Sequence, residues 1–220
     1  MSTALEVTGF FMCVTSWLVT GISLANDYWK LSSNSGNVII SNRQYENLWH
    51  SCAESSTGVA DCRDFQTMLA LPGHIQACRA LMIIALIFGL VSIIVSTMGL
   101  KCIKIGAAKD ESKGKLAVSG GILFILAGLC TMVATSWYAA RVIQEFHNPF
   151  FGGIKFELGA GLYIGWAGGI LSILGGSLLC SAFKRISKGK PKGAYYPSGK
   201  PTTIYTAAPV STSDTARAYV

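Results

Sequence analysis

Four long stretches of this chain carry no charged residue, and they restrict what it can fold into more than any other feature. They run from Val7 to Ala25, Ala80 to Leu100, Leu116 to Ala140 and Leu158 to Phe183. Each reaches the roughly 20 apolar residues needed to cross a hydrocarbon core. Only 13% of the 220 residues are charged and the mean hydropathy is +0.45, whereas soluble domains carry about a quarter charged residues. Four such windows leave almost nothing to solvate a soluble helical core, so the pattern predicts four transmembrane helices. Glycine recurs within them, as in "GGILFILAG" and "GWAGGILSILGG", which lets neighbouring helices approach closely in lipid. No Lys or Arg precedes the first window and "SLANDYW" is a weak cleavage site. That window therefore reads as a retained signal anchor.

The loops set the expected orientation. "KCIKIGAAKDESKGK", residues 101–115, holds five lysines and two acids. After Phe183 come Lys184, Arg185, Lys188, Lys190, Lys192, Lys200 and Arg217 against one acid, Asp214. Positive charge is retained in the cytoplasm, so this loop and both termini are expected inside, with residues 26–79 and 141–157 outside. The net charge of +7 is then a topology signal. Nucleic-acid binding, the other reading of a basic chain, lacks aromatic interleaving and a soluble domain to carry it. Residues 1–183 form the expected tetraspan body. Residues 184–220 form a cytoplasmic tail, rich from Tyr195 onward in Pro, Ser, Thr, Lys and Ala without apolar periodicity, and it is expected to be disordered.

On the outer side lies "NLWHSCAESSTGVADC", residues 47–62. In an oxidising compartment a Cys52–Cys62 disulfide is the default, and the glycine between the cysteines suits a hairpin turn clamped by that bond. "YWKLSS" and "NVIIS" read as strands separated by "NSGN", and "IKFEL" in the second outer loop reads as an edge strand. Trp29 and Trp49 are expected between this sheet and the membrane surface. His50 and His74 stand alone in sequence, so no metal site is expected, and no cofactor. Cys13 and Cys130 read as small apolar fillers, and Cys78 as a residue of the outer membrane edge. Cys102 and Cys180, at the inner ends of the second and fourth windows, are candidates for S-palmitoylation, with free thiols as the equal alternative. The windows hold almost no ionisable residue, which argues against intramembrane catalysis or transport. A thiol nucleophile at Cys52 would be consumed by the disulfide.

Trp29, Asn47-Leu48-Trp49, Cys52 and Cys62 resemble the Trp…Gly-Leu-Trp-x-x-Cys…Cys signature of the claudins, with Asn47 in place of glycine. Arg79 after "IQAC", "EFHNP" at residues 145–149 and the terminal Tyr219-Val220 also match that family. The resemblance covers nearly the whole chain, with "MLAL" and "GHIQACRALMI" looking closest to channel-forming members. It implies a membrane α-helical fold, a left-handed four-transmembrane helix bundle carrying an extracellular antiparallel β-sheet. It implies a plasma-membrane protein of the tight junction that polymerises with itself and other claudins, in one membrane and across adjacent cells, and leaves paracellular ion pores. Met68 would pack into a neighbour's pocket formed by Phe146, His147 and Leu158. Tyr219-Val220, with its free carboxylate, would bind PDZ-domain scaffold proteins as an added strand.

The expected pore prefers small inorganic cations. Between Asp27 and Cys78 there are five acids (Asp27, Glu46, Glu54, Asp61, Asp64) against three bases (Lys30, Arg43, Arg63). Asp64 matches an acid of cation-selective relatives. Ser55 stands where those relatives carry another, with Glu54 beside it on the opposite face if the strand is regular. The alternative function is that of a non-junctional tetraspan, either an accessory channel subunit or a membrane adhesion protein.

Overall fold

A computed structural model of the chain describes residues 2–32, 42–65, 71–99, 110–148 and 154–189. Four helices, α1 (Ser2–Ala25), α2 (Gly73–Gly99), α3 (Asp110–His147) and α4 (Ala160–Gly189), are each long and apolar enough to cross a membrane. The body is a multi-pass membrane protein. On the side of the sheet, two helices outrun their charge-free windows. α2 begins seven residues before Ala80 and α3 continues seven residues past Ala140. Hydropathy stops at Arg79 and Arg141, but a helix end tolerates charges that reach polar surroundings. Pro72 sets the start of α2, its carbonyl accepting the Ile75 N–H at 3.0 Å. α3 stops at Asn148-Pro149, because the residue before proline is disfavoured in a helix.

Helix α1 packs along α4, α4 along α3, α3 along α2, and α2 touches α1. The glycine runs make the α3–α4 contact close. Gly121 faces Gly176 and, seven residues on, Gly128 faces Gly169. A methyl group added at Gly128 would sit 2.9 Å from the Gly169 carbonyl oxygen. Serine hydroxyls tie the helices crosswise. Ser23 donates to Gly161 O at 2.7 Å, Ser172 to Phe124 O at 2.8 Å, and Ser92 to Gly120 O. Such bonds are worth about 0.6 kcal/mol each in lipid; the buried Ser96 hydroxyl, beside Gly120, has no hydrogen-bond partner. Large apolar side chains such as Phe11, Leu18, Ile87 and Leu174 point outward, as a lipid-facing surface requires.

At one end of the bundle stands a five-stranded antiparallel sheet of β1 (Lys30–Ser32), β2 (Asn42–Glu46), β3 (His50–Ser55), β4 (Ala60–Asp64) and β5 (Phe156–Leu158). The spatial order is β4-β3-β2-β1-β5, so the expected edge strand in "IKFEL" is present. "NVIIS" lies outside the described residues, and the described strand begins just after it at Asn42. The placement expected for Trp29 is corrected: it is fully buried within the protein rather than at its boundary with the membrane. Trp49 packs beneath Arg79. Cys78 is also buried, its thiol donating to Ala134 O at 3.3 Å. The burial of Trp29 has a cause: α2 and α3 extend past the hydropathy windows, so an apolar core exists beyond them. It holds Trp29, Leu48, Leu71, Ile75, Tyr138 and Leu162.

Candidate functional site: the sheet face and the groove beside it

The signature residues anchor the sheet. Trp29 donates its indole N–H to Ser23 O at 2.8 Å and meets Tyr138 edge-to-face at 5.2 Å. Its backbone joins β2 through Glu46 O and accepts the Gly159 N–H at 2.8 Å. One residue thus ties α1, α3, α4 and the sheet together. Asn47 closes the β2–β3 turn. Its side-chain carbonyl accepts the Trp49 and His50 N–H groups at 2.7 and 2.8 Å, and its amide donates to Asp27 at 3.0 Å. An asparagine at the family's glycine position is therefore accommodated as a side-chain-closed turn. Leu48 is fully buried, and its carbonyl accepts Arg79 Nε–H at 2.5 Å. The Arg79 guanidinium lies over the Trp49 ring, 4.9 Å from its centre, and near Phe65. That cation–π stack hooks the turn to α2.

Cys52 and Cys62 are directly opposed on β3 and β4 and form the disulfide. A loop of that size is held by about 3 kcal/mol in the chain-entropy account. The turn beyond it closes by Gly58 N–H to Ser55 O at 2.9 Å, with Gly58 at φ 79°, a left-handed conformation that glycine adopts without strain.

The register sorts the charges. Asp64 opposes His50, Cys62 opposes Cys52 and Glu54 opposes Ala60. Side chains alternate along a strand, so Asp64, His50 and Glu54 share one face with the disulfide. Ser51, Ser55, Asp61 and Arg63 lie on the other. The pairing runs regularly through Ser55, opposite Asn42, so Glu54 and Ser55 face apart. The Ser55 hydroxyl instead accepts the Thr57 N–H at 3.2 Å and bonds the Thr57 hydroxyl, ordering the tip. Glu46 pairs with Lys30 at 2.7 Å, both largely covered, which removes one acid and one base from the exposed balance. Asp64 is 92% exposed. On the shared face Tyr45 stacks on Tyr28 at 4.7 Å. Burial first, then the charge of nearby Tyr28, Asp27 and Glu54, pushes its phenol up from the ordinary value, so it stays neutral.

Beside the sheet, a groove of about 300 Å³ opens between the end of α3, β5 and the start of α4. Val142, Ile143, Phe146, His147, Phe156, Glu157, Leu158 and Tyr163 line it. Phe146, His147 and Leu158 thus line one groove. Met68 lies outside the described residues, as do Cys102, Tyr219 and Val220. Val142, Ile143, Phe156 and Tyr163 were not anticipated. For Val142 and Ile143 the signal was their helical spacing to Phe146 and His147, which becomes visible only once α3 is carried past Arg141. Phe146 is held between His147, ring centres 5.6 Å apart, and Lys155 at 5.3 Å. His147 donates from Nδ1 to Ile143 O at 2.9 Å. Cys180 turns its thiol toward Val118 O of α3, at 3.8 Å. Among the described residues no group of three His, Cys, Asp or Glu side chains has metal-holding geometry.

The chain matches the PMP-22/EMP/MP20/Claudin family over residues 3–179. It is 45% identical to mouse Claudin-15 over 214 residues, covering 97% of this chain and 93% of the relative. The chain belongs to the claudin family. Human Claudin-19 is 45% identical over 181 residues, covering 81% of each protein. Human Claudin-7 is 40% identical over 183 residues, covering 82% of this chain and 87% of the relative. Claudins are structural proteins of the tight junction in the plasma membrane and not enzymes. In this claudin Trp29 and Leu48 are fully buried beneath the sheet, whereas Cys62 of the disulfide is exposed on β4.

Proposed function

We propose that this claudin polymerises through the groove into junctional strands and forms a cation-preferring paracellular pore along the sheet face that carries Asp64. In this reading both termini are cytoplasmic, the sheet is extracellular, and neighbours are copies of itself and other claudins. The observation that carries the pore is the joint placement of Asp64 and Glu54 on one face, flanking the disulfide, with Asp64 almost fully exposed. Arg63 is directed to the opposite face. Arg43 opposes Glu54 on β2 and tempers the preference. An acid near a permeating ion in water is worth about 1 kcal/mol before screening, so the preference is moderate.

Dilution potentials across monolayers of strand-free cells expressing each variant test the pore. Asp64→Asn should lower the sodium-to-chloride permeability ratio about threefold, from the loss of one near charge screened by salt. Asp64→Lys should lower it further, and Glu54→Gln by less because Arg43 already opposes Glu54. A wild-type pore favouring chloride would overturn the cation assignment and direct attention to Arg43.

PDZ-domain scaffold proteins are the proposed partners of the tail. A PDZ groove reads the free carboxylate and the last apolar side chain. A peptide ending in Tyr219-Val220 should bind such domains and its amidated form should bind at least tenfold more weakly, since the group that fills the carboxylate nest is gone. Equal affinity in isothermal titration would remove the tail from this role.

A further inference from the structure

We propose that His50 is a proton sensor for the sheet face: its protonation offsets the charge of Asp64 and shifts permeability from cations toward chloride. This rests on the reading that the face bearing Asp64 lines the ion path.

The geometry assigns the two ring nitrogens to different acids. Nε2 is 2.9 Å from Asp27 Oδ1. An ionised carboxylate can only accept, so Nε2 carries the hydrogen and donates it. Asn47 donates to the same Asp27 oxygen at 3.0 Å, and it also holds the His50 backbone N–H through its own carbonyl. The ring is therefore fixed from one side. Nδ1 is left as the basic nitrogen, and it lies 3.9 Å from Asp64 Oδ1. The next proton taken from solvent goes there. It turns a lone pair beside the carboxylate into a cation beside it. The His50 side chain is 27% exposed, enough for solvent to deliver that proton, and histidine is the side chain that ordinarily changes charge between about pH 5 and 8.

The charged or titratable groups around His50 are Asp27 ahead of β1, Arg43 and Tyr45 on β2, Glu54 on β3, Asp64 on β4 and Arg79 on α2. Of these, Asp27 and Asp64 are in ion-pair reach among the described residues. Arg79 is committed to Leu48 O and the Trp49 ring. Asp27 is already occupied by two donors. The added charge therefore acts chiefly on Asp64, the exposed member.

The test is a pH series of dilution potentials between about pH 7.5 and 5.5. On acidification the wild-type sodium-to-chloride ratio should fall reversibly by about threefold, the effect of one charge near 4 Å after screening. His50→Gln should keep the neutral-pH ratio and lose most of the fall. Asp27→Asn, which removes the carboxylate that fixes the ring with Nδ1 toward Asp64, should reduce the fall. It is the second variant should His50→Gln fail to reach the surface. The chain has three histidines; His74→Gln, outside both the sheet face and the groove, serves as the control and should respond like wild type. No acid response in wild type, or an unchanged response in His50→Gln, would overturn the proposal. The shift toward chloride is expected whichever ion is favoured at neutral pH. A chloride-favouring baseline would thus defeat the cation reading of the pore, while the loss of the shift in His50→Gln would still decide the role of His50.

Discussion

Trp29→Ala should leave this claudin unable to reach the cell surface in quantity. The side chain is fully buried, donates to Ser23 O and stacks on Tyr138. Truncating a buried Trp costs about 3–5 kcal/mol, a large share of the net stability of a typical domain. The loss falls where α1, α3, α4 and the sheet meet, so neighbouring elements cannot collapse into the void without separating from one another. The comparison is Trp137→Ala, because Trp137 is 43% exposed on the outer side of the same bundle and should change stability by less than about 1 kcal/mol. Thermal unfolding in detergent, with surface biotinylation in cells, measures both. Equal unfolding temperatures for the two variants would refute the assignment of Trp29 as the anchor of the sheet.

Phe146→Ala should abolish continuous strands while leaving surface delivery near wild type. Phe146 lines the groove with Leu158 and Tyr163 and is half-buried there, so its loss empties an apolar seat without opening the core. A partner's apolar side chain seated there gains about 2 kcal/mol on full burial. Summed along a polymer, losing that at each contact shortens strands by many subunits. Met68→Glu should act in the same way from the other side of the contact, by setting a charge against an apolar seat. Freeze-fracture imaging of transfected cells reads the outcome. Unbroken strands in both variants would separate the groove from polymerisation.

The helices were legible because lipid imposes length and composition together, and a charge-free run of about 20 residues suits little besides a bilayer. The hairpin was legible because the two cysteines, the glycine and the expected oxidising side all pointed to one closed turn. What sequence could not show was where the protein interior ends. Hydropathy reports lipid, and above the lipid the chain buries Trp29, Leu48 and Ile75 against helical turns that begin beyond Arg79 and Arg141. For the same reason half of the groove was missed: Val142 and Ile143 follow a charged residue and belong to no window. The face-sharing of Asp64, Glu54 and His50 was only partly legible. Alternation separated Glu54 from Ser55, but the pairing of His50 with Asp64 depends on register across the hairpin, which a single strand does not reveal. Asn47 read as a departure from the family glycine, while its three side-chain hydrogen bonds with Trp49, His50 and Asp27 needed coordinates.

The length of α3 has a mechanical consequence. Its 38 residues amount to about 57 Å of helix at 1.5 Å per residue, nearly twice the roughly 30 Å of a hydrocarbon core. The residues it contributes to the groove, Val142 to His147, occupy its last two turns, with no break between them and the membrane-crossing part. The helix is thus a ruler with a socket at its tip. Any change in bilayer thickness or in helix tilt that slides α3 along the membrane normal raises or lowers the socket by the same amount, about 1.5 Å for each residue of displacement. In the proposed assembly two claudins interlock only if their sockets and inserting side chains stand at matching heights, so a lipid bilayer of uniform thickness would act as the jig that keeps a row of them in line.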